Sequence, residues 1–260
     1  MTDNLLYANV LGEGNHHLVV LHGFLGMSDN WKTHGRWWAA QGWKVHLLDL
    51  RNHGRSFWSP IFDYATMAED LQAYCSANGL EKITLLGHSM GGKVAMLFAC
   101  RYPHKVEKLI VADIAPKAYP PHHQAILHAL STLDFSQIDS RAAAEAHLKQ
   151  AISDSATRQF LLKNIHRKTP QQLGLRINIA VLKNAGEAIG EALPAGHRFE
   201  GPTLFMRGER STYIDPATDA AEINRFFPSA ELVTVPAAGH WLHAENPTAF
   251  LTALEQWWAA

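Results

Sequence analysis

Apolar residues along this chain gather in short, nearly unbroken runs: "HLVVLHG" (17–23), "KVHLLDLR" (44–51), "KITLLGHS" (82–89), "KLIVADIAP" (108–116), "PTLFMRGE" (202–209) and "ELVTVPAAG" (231–239). Rich in Val, Ile and Leu and lacking polar alternation, they predict strands buried on both faces. Between them lie segments of helical period, among them "YATMAEDLQAYCSAN", "MGGKVAMLFACRY", "PATDAAEINRFF" and "NPTAFLTALEQWW". Strand and helix in alternation predict a largely parallel sheet with helices on both faces.

The alternation breaks between about Pro116 and Arg198. That stretch contains no convincing strand but several amphipathic pieces, such as "HHQAILHALSTL", "SRAAAEAHLKQAI", "SATRQFLLKNIHR" and "LRINIAVLKNAGEAI". It reads as a helical insertion between two strands of one sheet, which divides the chain into residues 1–115, 116–198 and 199–260. No internal repeat or low-complexity tract is present.

With 260 residues, 47% of them hydrophobic and 18% charged, the composition is that of a globular protein able to bury a substantial core. A formal net charge of -1 leaves no global field to gather nucleic acid or an anionic membrane. The insertion is mildly basic, with ten Lys and Arg against six Asp and Glu. Cys75 and Cys100 form no C-x-x-C pair, so neither a disulfide framework nor a thiolate metal site is expected. The start "MTDNLLYANVLGEGN" lacks a basic, apolar leader, and no run approaches the roughly 18 apolar residues of a membrane span. The expectation is a cytoplasmic protein, with monomer and homodimer both open.

"LLGHSMGGK" (85–93) places Ser89 between Gly87 and Gly91 where a buried strand hands over to a helix. A serine in such a turn presents its hydroxyl at the carboxyl end of the sheet, ready to act as a nucleophile. The plainer alternative is an ordinary helix N-cap. An activated serine needs a base, and His240 in "VPAAGHWLHAENP" follows a strand and precedes a final helix capped by Asn246, at the same sheet edge. His243 completes an H-x-x-H with it, but no carboxylate or cysteine cluster accompanies the pair, so no metal is expected. After the first strong strand, "HGFLG" supplies a glycine-bordered turn, where the backbone N–H of Phe24, with that of Met90, can face a developing oxyanion. His22 and Gly23 shape that turn.

On these residues the chain resembles the α/β-hydrolase superfamily, from about Leu18 to Trp258. "HGFLG", "DLRNHGRS", "GHSMGG" and "GHWLHAENP" appear in the family's order, and "GHSMGGK" and "DIAP" resemble small bacterial esterases of the YbfF type. The resemblance implies an α/β-hydrolase fold, with a mostly parallel sheet and a helical cap after the sixth strand. It also implies Ser89 as nucleophile, His240 as base, and residues 116–198 as a cap over the pocket. The family's usual acid lies in a G-x-x-D turn after the strand that follows the cap; here the turn reads "RGERS" and Ser211 stands in that place. The candidates are Asp113, Asp215 and Glu209. Asp215 precedes Pro216 as an ordinary helix cap, and Glu209 sits beside Arg210 as a pairing partner. Asp113 ends a buried strand, where a carboxylate needs a partner, and is assigned the role. The resemblance to the small esterases implies the same relocation, with Ser211 as an auxiliary hydrogen-bonding member.

Aromatic and apolar residues offered for the substrate pocket are Phe24, Leu25, Trp58, Phe62, Tyr119 and Trp241. His53 and Arg55 read as turn residues, and His122 and His123 as solvent-facing cap residues. The expected function is a cofactor-free serine carboxylesterase acting on a small-molecule ester or thioester. Carbon–carbon bond hydrolases, lyases and cofactor-free haloperoxidases share these motifs, and a non-catalytic ligand-binding module is the alternative from another class.

Overall fold

In the strand His16–Leu21, Leu18 and Val20 enter one hydrophobic cluster while Val19 and Leu21 enter another. Successive side chains on a strand point to opposite faces, so a sheet covered on both sides demands unbroken apolar runs. The computed structural model describes residues 4–121 and 123–259, which leaves His122 outside the described residues.

The strands are β1 (Ala8–Leu11), β2 (His16–Leu21), β3 (Trp43–Leu48), β4 (Ile83–His88), β5 (Val106–Ala112), β6 (Ile165–Thr169), β7 (Gln172–Leu175), β8 (Thr203–Gly208) and β9 (Ala230–Val235). Seven of them form one sheet in the order β1-β3-β2-β4-β5-β8-β9. Only β1 runs antiparallel, paired with β3. It escapes the apolar pattern because it is a short, half-exposed edge strand. One face of the sheet is covered by α1 (Lys32–Ala40) and by α11 (Pro247–Ala259), through Trp38, Phe250 and Leu254. The other carries α2 (Tyr64–Ala77), α3 (Met90–Arg101) and α9 (Pro216–Phe226). Among the described residues no helix is long and apolar enough to cross a membrane.

The insertion follows β5, the fifth strand of the sheet, not the sixth as expected: only β1 and four parallel strands precede it. It holds α4 (Gln124–Ser131), α5 (Arg141–Lys149), α6 (Ser155–Leu162), and two short helices, α7 (Ile179–Leu182) and α8 (Gly186–Gly190). It also holds the antiparallel hairpin β6–β7, where no strand was expected. The hairpin escaped notice because β6 reads "IHRKT", half-buried at one end and exposed at the other, with no apolar run. Lys93, fully buried on α3, fastens both ends of the insertion. Its ammonium donates to the carbonyls of Lys117 at 2.5 Å, Glu191 at 2.6 Å and Pro116 at 3.4 Å.

β2 lies between β3 and β4, so the chain leaves β2 toward one side and returns to pair on the other. Such a reversal opens a crevice at the carboxyl ends of the strands, the usual ligand position in open α/β sheets. Phe24 follows β2 and Ser89 follows β4 at that reversal.

Candidate active site

Ser89 sits at φ 54°, ψ -120°, between the end of β4 and the first turn of α3. A serine pays a penalty of about 1 kcal/mol or more for such a backbone, which persists only where the surroundings enforce it. Its N–H donates to the Ala112 carbonyl at 2.9 Å. A Cβ on Gly87 would stand 2.2 Å from the Gly91 carbonyl oxygen, and one on Gly91 would stand 2.6 Å from those of Leu21 and His22. The elbow therefore closes only with glycine at both places. The side chain of Ser89 makes no cap to α3, which removes the ordinary N-cap reading: the strained backbone turns the hydroxyl outward instead.

His240 Nε2 lies 3.0 Å from Ser89 Oγ, and His240 Nδ1 lies 2.8 Å from Asp113 Oδ2. A carboxylate accepts, so Nδ1 carries the hydrogen and Nε2 faces the serine as an acceptor. Asp113 is fully buried, at φ 54° just beyond β5. Its Oδ1 accepts the Gly208 N–H at 3.0 Å, and its Oδ2 accepts the Ser211 hydroxyl as well as His240. Asp215 caps α9 through the Ala217 N–H at 2.9 Å. Glu209 accepts the Ala237 N–H at 2.7 Å, while Arg210 pairs with Glu245 at 3.2 Å. The expected Glu209–Arg210 pairing is thus replaced, because the turn after β8 points both side chains toward the β9–α10 loop, where α10 is Leu242–Glu245. Of the three candidate carboxylates, Asp113 is the one that meets the histidine.

Two supports of His240 escaped the sequence reading. The His88 ring hydrogen-bonds the His240 carbonyl at 2.8 Å; burial, then the nearby His240, pushes its pKa down to about 3, so it stays neutral and donates from Nε2. Its position inside G-x-S-x-G was the available signal. Tyr213 stacks on the His240 ring at 3.9 Å and 17°. Nothing local marks that tyrosine beyond its place two residues after Ser211.

The turn after β2 closes through the Gly26 N–H and the Gly23 carbonyl at 2.9 Å. Neither the Phe24 N–H nor the Met90 N–H, at the start of α3, donates to a backbone carbonyl among the described residues. His22 is buried and shapes the turn as expected, donating from Nδ1 to the Gly23 carbonyl at 2.8 Å and accepting the Leu50 N–H at 3.0 Å. His53 Nε2 accepts the Leu25 N–H at 3.2 Å, and Arg55 pairs with Asp29 at 3.3 Å. Asp49, fully buried, joins the loops after β2 and β3 by accepting the N–H groups of Ser28 at 2.6 Å and Arg55 at 2.8 Å.

A cavity of about 580 Å³ opens on Ser89 and His240, walled mainly by Phe24, Leu25, Trp31, Phe160, Leu161 and Trp241. Of the residues offered for the pocket, Phe24, Leu25 and Trp241 line this cavity, while Trp31 and Phe160 went unpredicted. Trp58 is 57% exposed and lines a separate groove beside the β6–β7 hairpin, away from Ser89 and His240. Phe62 lies behind the wall, its ring 6.4 Å from that of Phe24. Tyr119 borders a small adjoining recess with Ser89 and Met90, its hydroxyl held by the Tyr213 carbonyl and the Ala115 N–H. His123 is half-buried at the cavity and meets Phe24 edge-on at 5.2 Å, so the solvent-facing expectation fails for it. His243 is buried and stacks on Trp31 at 4.0 Å, an aromatic core contact rather than a ligand position.

An elbow serine at a topological switch point, with this histidine and carboxylate, belongs to the hydrolases built on open α/β sheets. The α/β-hydrolase fold family matches residues 16–247, and the chain belongs to that family. It is 37% identical to the sn-1-specific diacylglycerol lipase ABHD11 of Danio rerio, over 96% of this chain and 81% of that protein. Esterase YbfF of Escherichia coli is 32% identical over 94% of this chain and 93% of its own. A solved marine microorganism esterase superposes with a TM-score of 0.94 at 38% identity, covering 98% of this chain and all of that one.

Proposed function

We propose that this esterase/lipase-type α/β hydrolase is a serine carboxylesterase acting on short to medium acyl esters, and on acyl thioesters of similar size. The observation that carries the reading is the continuous Ser89–His240–Asp113 hydrogen-bonded chain at the floor of an apolar cavity. The names of its relatives, esterase and diacylglycerol lipase, support ester substrates.

In this mechanism His240 Nε2 takes the Ser89 proton while Oγ attacks the carbonyl carbon. The resulting oxyanion is held by the N–H groups of Phe24 and Met90, the latter at the positive end of α3. His240 then protonates the leaving oxygen or sulfur, and the acyl group stays on Ser89. Water, deprotonated by the same imidazole, releases the acid. Asp113 orients the imidazole and stabilises its charged form, with Ser211 and the Gly208 N–H holding the carboxylate in place. Burial, then Asp113, pushes the Tyr213 pKa up to about 12, so a neutral ring faces the imidazolium. Residues 116–198 act as a cap, since Phe160 and Leu161 reach the cavity from that segment.

The test is fluorophosphonate labelling beside turnover of p-nitrophenyl esters from acetate to palmitate and of acyl-CoA thioesters. An adduct on Ser89, loss of both signals in Ser89→Ala and a preference for the shorter esters are expected. No turnover of any substrate would sink the esterase reading.

A further inference from the structure

Leu25 adopts φ 61° with its side chain buried. The left-handed region costs a non-glycine residue about 1–2 kcal/mol, so external restraints must hold it there. Two buried side chains grip its two peptide groups. From the loop after β3, His53 Nε2 accepts the Leu25 N–H at 3.2 Å, while Nδ1 donates to the Arg51 carbonyl at 2.9 Å. From the insertion, Asn164 Nδ2 donates to the Leu25 carbonyl at 2.8 Å.

Asn164 is fully buried, and its own backbone is fixed on both sides: its N–H donates to the Leu161 carbonyl at 3.0 Å, and its carbonyl accepts the Arg176 N–H at 2.8 Å. Its side-chain oxygen is buried without a partner among the described residues. An unpaired buried acceptor costs about 1–3 kcal/mol, which an apolar side chain of similar size would avoid. The contribution of this amide is therefore its donation to Leu25.

We propose that Asn164 is a positioning residue through which the insertion sets the oxyanion site: by holding the Leu25 carbonyl it keeps the 23–26 turn wound so that the Phe24 N–H faces Ser89. The inference rests on the reading of Phe24 as an oxyanion donor. It makes the insertion part of the catalytic geometry as well as a wall of the cavity. When the segment around Asn164 shifts, the strained Leu25 peptide is released and the donor turns away.

The full-length Asn164→Leu variant, which keeps the branching and heavy-atom count and removes the orphaned oxygen, is compared with Asn164→Ala, Asn178→Ala and Ser89→Ala. Asn178 makes another buried amide contact from insertion to core, to Asn52 Oδ1 at 3.0 Å, without touching the turn. Asn164→Leu is expected to fold with a melting temperature near wild type and to lose about 10- to 100-fold in kcat with little change in KM, as a misaimed oxyanion donor requires. A trifluoromethyl ketone, whose serine adduct carries the oxyanion, should weaken by the same factor as kcat/KM. Asn164→Ala should follow the same pattern, and Asn178→Ala should keep kcat within a few-fold of wild type. The proposal is overturned if Asn164→Leu retains wild-type kcat and ketone affinity, or if Asn178→Ala loses as much, which would mean general loosening. If Ser89→Ala retains turnover, the acyl-enzyme reading itself fails; an inactive Ser89→Ala beside an unimpaired Asn164→Leu sinks this inference alone.

Discussion

Asp113 and Asp215 separate two jobs that a carboxylate can do in this fold. One is fully buried and receives hydrogen bonds from His240, Ser211 and Gly208; the other caps α9 at the surface. Asp113→Asn preserves size but favours the wrong imidazole tautomer, and kcat should fall by about four orders of magnitude. Asp215→Asn should leave kcat near wild type, since asparagine caps a helix as well as aspartate. Steady-state kinetics on one p-nitrophenyl ester decides between them, and the reverse pattern would reassign the acid. Ser211→Ala removes one donor from the buried carboxylate, and a loss of about tenfold in kcat is expected. Ser211 could be picked out in sequence as the residue in the acid's usual place, whereas Tyr213 could not, because stacking on His240 follows only from the path of the loop after β8.

At the level of elements, the elbow between β4 and α3 depends on close backbone approach. Gly91→Ala drives a Cβ into the carbonyls of Leu21 and His22 at the end of β2. Backbone cannot yield as a flexible side chain does, so the helix must retreat. A loss of about 1–3 kcal/mol in stability is expected, with slower fluorophosphonate labelling of Ser89. Thermal melts and labelling rates check both. Lys93 governs a different junction, since its one ammonium meets carbonyls from both ends of the insertion. Lys93→Met keeps the bulk and deprives three carbonyls of their donor. Hydrogen exchange should accelerate around 116–119 and 190–193 while the sheet stays protected, and the melting temperature should drop by several degrees. Unchanged exchange there would show that the insertion is fastened elsewhere.

For the molecule as a whole, acid is the condition it should tolerate least. His22, His53 and His88 are buried, and burial first of all pushes their pKa values down to about 4, about 3 and about 3, from an ordinary 6.5. Each binds a proton more weakly folded than unfolded. Its contribution to stability is therefore complete above about pH 6.5 and is lost as the pH falls toward 3–4. Each histidine adds up to about 1.4 kcal/mol per pH unit within that window. Melting temperatures measured from pH 7 to pH 4 should fall steeply, and His53→Gln should flatten the slope; a curve level down to pH 5 would contradict the assignment. The doubly covered sheet, the serine at the β4–α3 turn, and the gathering of His240 and Asp113 at the same sheet edge were legible in the sequence. Strand burial, a strand-to-helix handover and the end of an apolar run are properties of neighbouring residues. What only the tertiary structure decided lies between segments far apart in the chain: Tyr213 on His240, Asn164 on Leu25, Trp31 and Phe160 as cavity walls, and Trp58 turned away. The β6–β7 hairpin belongs with them, because its strands are stabilised by pairing with each other and by packing Ile165 and Leu175 on the core, while β6 is mostly polar and β7 is too short for its two leucines to read as a strand.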